Sequence, residues 1–314
     1  MMKQEQLHKK QIIFLVMPNA NMFDFSGSAQ VFYEAIDQGF NAELKFCTFE
    51  EGIKASTSMP LGKIDSYKKI KPKAGDYIFI GSAEINYVIS DKLNPGQALL
   101  DWLVNAFNGG TNICALCNGA FLLGKTGLLD GRECTTHFKR TAQLQKRFPF
   151  SKVQENILFV EDDRIITSAG ATTGTDVALY VLNQLTDDYF TYKVSRELLI
   201  YSRRIGSNAQ QSVLLNYRNH VHAGIHKVQD WLHDNLQKKL IIPELAEIAM
   251  MSERNFTRVF KKETSLTVND YITLLRKEKI RELLKRPDLS RDQIAKQCGL
   301  QSTRHLSRLI NLQN

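Results

Sequence analysis

The sequence predicts an α/β protein, a parallel-sheet sandwich with helices on both faces, followed by a separate all-helical domain. Three observations carry this prediction. From residue 11 to about 185, short β-branched or apolar runs alternate with segments whose apolar residues recur at three and four, as strands and helices do around a parallel sheet. Beyond Ile225 only helical spacing is found. The length, 314 residues, exceeds the roughly 100–200 residues of one domain, so a boundary is expected.

The strand-like runs are Gln11–Met17, Glu43–Thr48, Asp76–Ile80, Thr111–Leu116, Ile157–Val160 and Arg164–Ser168. Between them lie the helical patterns Ala29–Gln38, Gln97–Asn108, Ala120–Thr126, Thr136–Phe148 and Thr175–Leu185. Reactive groups of such a fold are expected at the carboxyl ends of the strands. The stretch YSRRIGSNAQQSVLLNYRNHVHAG is polar and lacks a sustained apolar stripe, which makes it the connector. The expected division is therefore residues 1–200, a connector at 201–224, and a helical domain at 225–314.

Apolar residues make up 43% and charged residues 24%, which excludes a largely disordered, collagen-like or coiled-coil chain. The net charge is +8, and residues 221–314, with 17 Lys and Arg against 11 Asp and Glu, carry +6 of it. A basic segment of this kind suits a polyanion. Nucleic acid is preferred over membrane, because no apolar run of 18 or more residues is present. The amino terminus MMKQEQLHKKQ passes straight into IIFLVM without the apolar core of a secretory signal, so a cytoplasmic location is expected. The five cysteines are scattered, as reduced thiols are; no metal site and no cofactor are expected.

Two segments of the tail, LAEIAMMSERNFTRVF and QIAKQCGLQSTRHLSRLI, have the same shape. Each has a first helix with Ala at a close-packing position, a short turn, and a second helix opening at Ser252 or Ser302 as N-cap. In the first copy Phe256, Val259 and Phe260 form the inward stripe, leaving Arg254, Thr257, Arg258 and Lys261 outward. In the second, Leu306, Leu309 and Ile310 face in, and Thr303, Arg304, Ser307 and Arg308 face out. A single pair of this kind reads most simply as a solvated bundle. Two copies joined by a helix at Val268–Lys285, about 27 Å long at 1.5 Å per residue, favour paired helix-turn-helix units reading successive major grooves of duplex DNA.

On LAEIAMMSERNFTRVFKKETSLTVNDYITLLRKEKIRELL and LSRDQIAKQCGLQSTRHLSRLI, about 90 residues, the tail resembles the AraC/XylS family of transcription regulators. The resemblance implies base contacts from Arg254, Thr257 and Arg258 and from Thr303, Arg304, Ser307 and Arg308. Family members continue past the second reading helix with an aromatic and basic stretch, whereas this chain ends LINLQN. The second unit is therefore expected to contribute the smaller share of affinity.

In the first domain the sharpest chemical feature is ICALCNGAFLLG, a strand entering a tight turn and then a helix, with Cys117 at the turn. This is the pattern of a nucleophile elbow, in which backbone N–H groups and a helix N-terminus would stabilise a thiolate. Cys114 belongs to the strand and is expected in the core. A CxxC pair without a second pair or matching histidines does not make a zinc site.

FDFSGSAQVF, DYIFIGSAE, ALCNGAFLLGKTGLLDGRECTTHF and ITSAGATTGTDVALYVL resemble the ThiJ/PfpI group of the class I glutamine-amidotransferase-like superfamily, of flavodoxin-like architecture. The order of domains is that of the GlxA-type regulators. The resemblance implies a pocket formed by Cys117, Asn118, Asp24 and His137, with an oxyanion-binding turn at Gly81 and Ser82. Asp24 also stands where it could cap a helix starting near Ser26. Ser82 and Asn118 depart from the pattern of catalytic members. The expected function is accordingly a dimeric, DNA-binding transcription regulator sensing an unknown small-molecule effector, not an enzyme. The alternatives are a Cys-dependent hydrolase or hydratase, and a redox sensor using Cys117.

Overall fold

A computed structural model describes residues 9–90, 93–170, 172–200, 206, 213–218, 220–284, 286 and 288–311. The chain divides into two compact units, residues 1–210 and 211–314. The first contains β1 (Lys10–Leu15), α1 (Met22–Asp37), β2 (Ala42–Thr48), β3 (Asp65–Ser66), β4 (Tyr77–Ile80), α2 (Ile85–Ile89), α3 (Gln97–Asn108), β5 (Asn112–Ala115) and α4 (Gly119–Gly124). It continues with β6 (Glu133–Cys134), α5 (Thr141–Arg147), β7 (Lys152–Val153), β8 (Phe159–Asp162), β9 (Ile165–Ser168), α6 (Thr173–Leu185) and α7 (Asp188–Glu197).

Seven strands form one sheet in the order β3-β2-β1-β4-β5-β9-β8. Neighbours are parallel except β8 and β9, which form an antiparallel hairpin. Asp163, at φ 57°, supplies the left-handed residue that reverses the chain there. Side chains of β1 alternate between two cores. Ile13 and Leu15 pack with Ile78, Leu99, Leu103 and Phe121, whereas Ile12 and Phe14 pack with Phe32, Phe79, Cys114 and Val177. A sheet covered on both faces explains why its strands read as continuous apolar runs.

Two helices differ from the periodicity. α1 begins at Met22, seven residues before the apolar stripe, because Gly27 and Gly174 let α1 and α6 cross closely. A Cβ on Gly27 would lie 2.6 Å from Thr175 Oγ1, and one on Gly174 would lie 2.5 Å from the Asp24 carbonyl. α5 begins at Thr141 rather than Thr136, since the preceding threonines are engaged elsewhere. The Thr135 N–H donates to Thr167 Oγ1 and the Thr136 hydroxyl to the Cys117 carbonyl, both at 2.8 Å.

In chain order the strands step outward from β1 to β3, then return to β4 beside β1 and proceed the other way. The crevice at the carboxyl ends of β1 and β4 is thus the topological switch point, where open α/β sheets hold ligands.

The second unit contains α8 (Val213–Asn216), α9 (Ala223–Asp234), α10 (Ile242–Ile248), α11 (Glu253–Thr264), α12 (Val268–Leu283), α13 (Arg291–Gln297) and α14 (Thr303–Asn311). α10 and α11 share a core with α9 and the start of α12 around Phe256, Phe260 and Tyr271. α13 and α14 close over the end of α12 around Ile280, Ile294, Cys298 and Leu306. Of the stretch read as connector, Gly206 accepts from Leu158 N–H at 2.9 Å in the first unit, and Val213–Asn216 is a helical turn of the second. No described helix is long and apolar enough to cross a membrane.

Candidate ligand pocket and nucleic-acid interface

The loops leaving β1, β4 and β5 meet at the switch point. Leu116 still donates to the Ile80 carbonyl at 2.9 Å, and the chain then turns at Cys117, which takes φ 50°. A non-glycine residue held there carries strain of order 1–3 kcal/mol. The surroundings fix it: Gly119 N–H donates to Leu116 O at 2.8 Å and the Thr136 hydroxyl holds the Cys117 carbonyl. Gly119 is obligatory, because a Cβ would lie 2.7 Å from the Ile80 carbonyl oxygen. The elbow geometry is present.

Three backbone donors near the elbow are engaged elsewhere. Gly119 N–H is used in the turn, Ala120 N–H points to the Cys117 carbonyl at 3.5 Å, and Gly81 N–H donates to Leu15 O at 3.1 Å. α4 is only six residues long, so its dipole is small. At the turn of Gly81 and Ser82 the Gly81 N–H is occupied within the sheet edge. Ser82 donates its hydroxyl to Asp24 and accepts from Asn21 Nδ2 at 3.0 Å. Asp24 is buried inside the first turn of α1, so it does not cap a helix beginning near Ser26. Asn118 pairs with the backbone of Ala83, accepting from its N–H at 3.0 Å and donating to its carbonyl at 2.6 Å. It fastens the β4 loop to the elbow.

Asp24, Cys117 and His137 do come together, with Asn21, Phe23, Ser56 and Thr57, around a pocket of about 500 Å³. Gly81, Ser82 and Asn118 do not line it. His137 Nδ1 accepts from Lys139 N–H at 3.2 Å, which leaves Nε2 to carry the proton of the neutral ring. Burial first, then Lys139 and Arg140, hold its pKa below the ordinary histidine value. Gly170 backs both reactive groups: a Cβ there would lie 2.4 Å from His137 Cδ2 and 3.5 Å from Cys117 Sγ. Sequence reasoning missed Asn21, Ser56, Thr57 and Gly170. Asn21, just ahead of a helix, carried an N-cap signal; Ser56 and Thr57 lie in the loop after β2 and carried none.

None of the five cysteines forms a disulfide. Burial pushes the Cys47 thiol up to about 12, Cys134 and Cys298 to about 11, and Cys114 well above its ordinary value. Among the described residues no group of three or more His, Cys, Asp or Glu side chains is arranged for a metal.

In the second unit both reading helices open as the sequence implies. Ser252 Oγ accepts from Asn255 N–H at 3.4 Å, and Ser302 Oγ from His305 N–H at 3.3 Å. Phe256, Val259 and Phe260 are buried, while Arg254, Thr257, Arg258 and Lys261 are exposed and border an open groove with Thr267 and Asn269. On α14, Leu306 and Leu309 are buried; Thr303, Arg304 and Arg308 are exposed and Ser307 is half-buried. Arg304 and Arg308 border a second groove with His305, a residue the sequence reading passed over. Arg258 Nη2 donates to Asn255 Oδ1 at 2.8 Å, which holds its guanidinium beside its own helix.

Residues 10–184 match the DJ-1/PfpI family, and the chain belongs to it. Residues 245–312 match a helix-turn-helix domain of AraC type. The HTH-type transcriptional regulator GbdR of Pseudomonas aeruginosa is 28% identical over 200 residues, covering 63% of this chain and 54% of that protein. The HTH-type transcriptional regulator CdhR of the same organism is 27% identical over 211 residues, 67% of this chain and 62% of that protein. The chain thus spans little more than half the length of these relatives. A ThiJ/PfpI family protein from Pseudomonas syringae superposes with a TM-score of 0.54 at 18% identity, covering 77% of this chain and 89% of that one, a likeness of fold.

Proposed function

We propose that the chain is a cytoplasmic, dimeric transcription regulator. Its DJ-1/PfpI domain senses a small molecule at the Cys117 pocket, and its helical unit reads duplex DNA through Arg254, Thr257, Arg258 and Lys261 on α11 and Thr303, Arg304, Ser307 and Arg308 on α14. The observation that carries this reading is the pair of capped helices, each with a buried apolar back and an exposed face of cations and hydroxyls. Such faces suit base edges and phosphates. Relatives named as HTH-type transcriptional regulators support it.

Selection of bound duplexes from a random pool tests the proposal: enrichment of a common motif is expected, and a pool unchanged after several rounds counts against it. Sensing requires only that the effector bind two states of the protein unequally. Turnover requires donors aimed at developing charge, and of the N–H groups near the elbow those of Gly81, Gly119 and Ala120 are committed elsewhere. Cys117→Ala should therefore leave DNA binding intact. Cys117-dependent turnover of an amide, isonitrile or 2-oxoaldehyde would favour the enzyme reading instead.

A further inference from the structure

Residues 213–218 and 220–222 lie along the helical unit and are fastened to it at several points. Val213 N–H donates to Glu278 Oε2 of α12 at 2.8 Å. Arg218 pairs with Asp230 of α9 through both terminal nitrogens, Nη2 to Oδ2 at 2.8 Å. The Tyr217 carbonyl accepts from Gln229 Nε2 at 2.7 Å, and the Tyr217 ring meets Tyr271 edge-on at 6.2 Å. Ring contacts continue from Tyr271 to Phe260 at 5.4 Å and from Phe260 to Phe256 at 5.7 Å. The fastening thus reaches the buried back of α11, whose other face carries Arg254 and Arg258.

The last point of attachment is a pair of histidines. The rings of His220 and His226 lie 4.5 Å apart with both Nε2 atoms buried, and His220 Nδ1 accepts from His222 N–H at 3.3 Å. A charge on the His220 ring is disfavoured at that separation from a second imidazole, and a proton on Nδ1 would end the bond it accepts from His222 N–H. The charged and titratable groups acting on the pair are His222 from its own segment and Glu263 from α11, beside His220, and Asp230 from α9, itself paired with Arg218, beside His226. Burial first, then His226, hold the His220 pKa below the ordinary value, with Glu263 and Gln229 pulling the other way. The sign follows: a histidine whose folded pKa is lowered contributes attachment that is complete above the ordinary value near about 6.5 and is lost as pH falls through it toward the folded value.

We propose that this segment is a strap on the helical unit, released when His220, packed against His226, takes up a proton. Its bearing on DNA rests on the function proposed above; the release itself does not.

The test is amide hydrogen exchange of the full chain at about pH 7.5 and about pH 5.5, either side of the ordinary histidine value, corrected for the intrinsic rate. Protection of the Val213, Tyr217 and His222 amides should fall about tenfold or more at the lower pH, while the amides of α12 keep theirs. The double variant His220→Gln, His226→Gln, neutral at both pH values, should hold the strap in place at both. Strap protection that does not change with pH overturns the proposal, as does a loss that persists in the double variant or a loss shared by α12. Should the double variant fail to fold, His220→Gln alone, at a half-exposed position, decides between the same outcomes.

Discussion

Cys117 lines the pocket while burial holds the other four thiols of the chain well above neutrality. Only the thiolate reacts appreciably. A thiol held near 11 is ionised at roughly one part in ten thousand at pH 7. Mild alkylation of the folded protein at neutral pH, followed by peptide mass mapping, should therefore modify Cys117 first, and first labelling at any other cysteine would contradict the pocket geometry. Gly119 offers a second residue-level check. Its missing Cβ is what allows the elbow to pass the Ile80 carbonyl, so Gly119→Ala should destabilise the first unit by about 1–3 kcal/mol, as forced overpacking does. Thermal melts within a few tenths of a degree of wild type would show that the turn can shift.

Among elements, α11 and α14 have similar faces on unequal supports. Phe256, Phe260 and Tyr271 pack edge-to-face behind the exposed face of α11, whereas α14 rests on aliphatic side chains and Cys298. A better-fixed helix loses less side-chain freedom on binding, so α11 is expected to carry more of the affinity. Arg258→Ala should cost about 1–3 kcal/mol on a selected site, as a base-edge arginine does, and Arg308→Ala should cost less. Equal losses in a titration of both variants would assign the two helices equal weight. Ser252→Ala should weaken the second unit by about 1 kcal/mol through the lost cap, measurable by denaturant unfolding.

The sequence legible at this scale was that with long periodic signals: the apolar strands, the stripe of α11 and both serine caps. β3, β6 and β7, two residues each, are too short to carry a period. The start of α1 was hidden because its helical state is imposed by a glycine-mediated crossing with α6 rather than by its own apolar pattern. In the pocket, Cys117, Asp24 and His137 were readable from their motifs. The commitments of Gly81 to Leu15 and of Asn118 to Ala83 depend on partners distant in sequence, which no spacing reveals.

For the whole molecule, the division of labour follows from where charge and apolar surface fall. The α/β unit buries both faces of its sheet and has a pocket at its switch point, whereas residues 221–314 hold +6 of the net +8. The central claim is that this unit binds duplex DNA through the two reading helices. Titration of the full chain with a selected duplex over a range of salt concentrations tests it most directly. Phosphate neutralisation releases counterions, so log K should fall linearly with log salt, with a slope of about −0.9 per phosphate neutralised. Arg254→Ala and Arg258→Ala should weaken binding. Affinity that is flat across the salt range, or unaltered in both variants, would contradict the account.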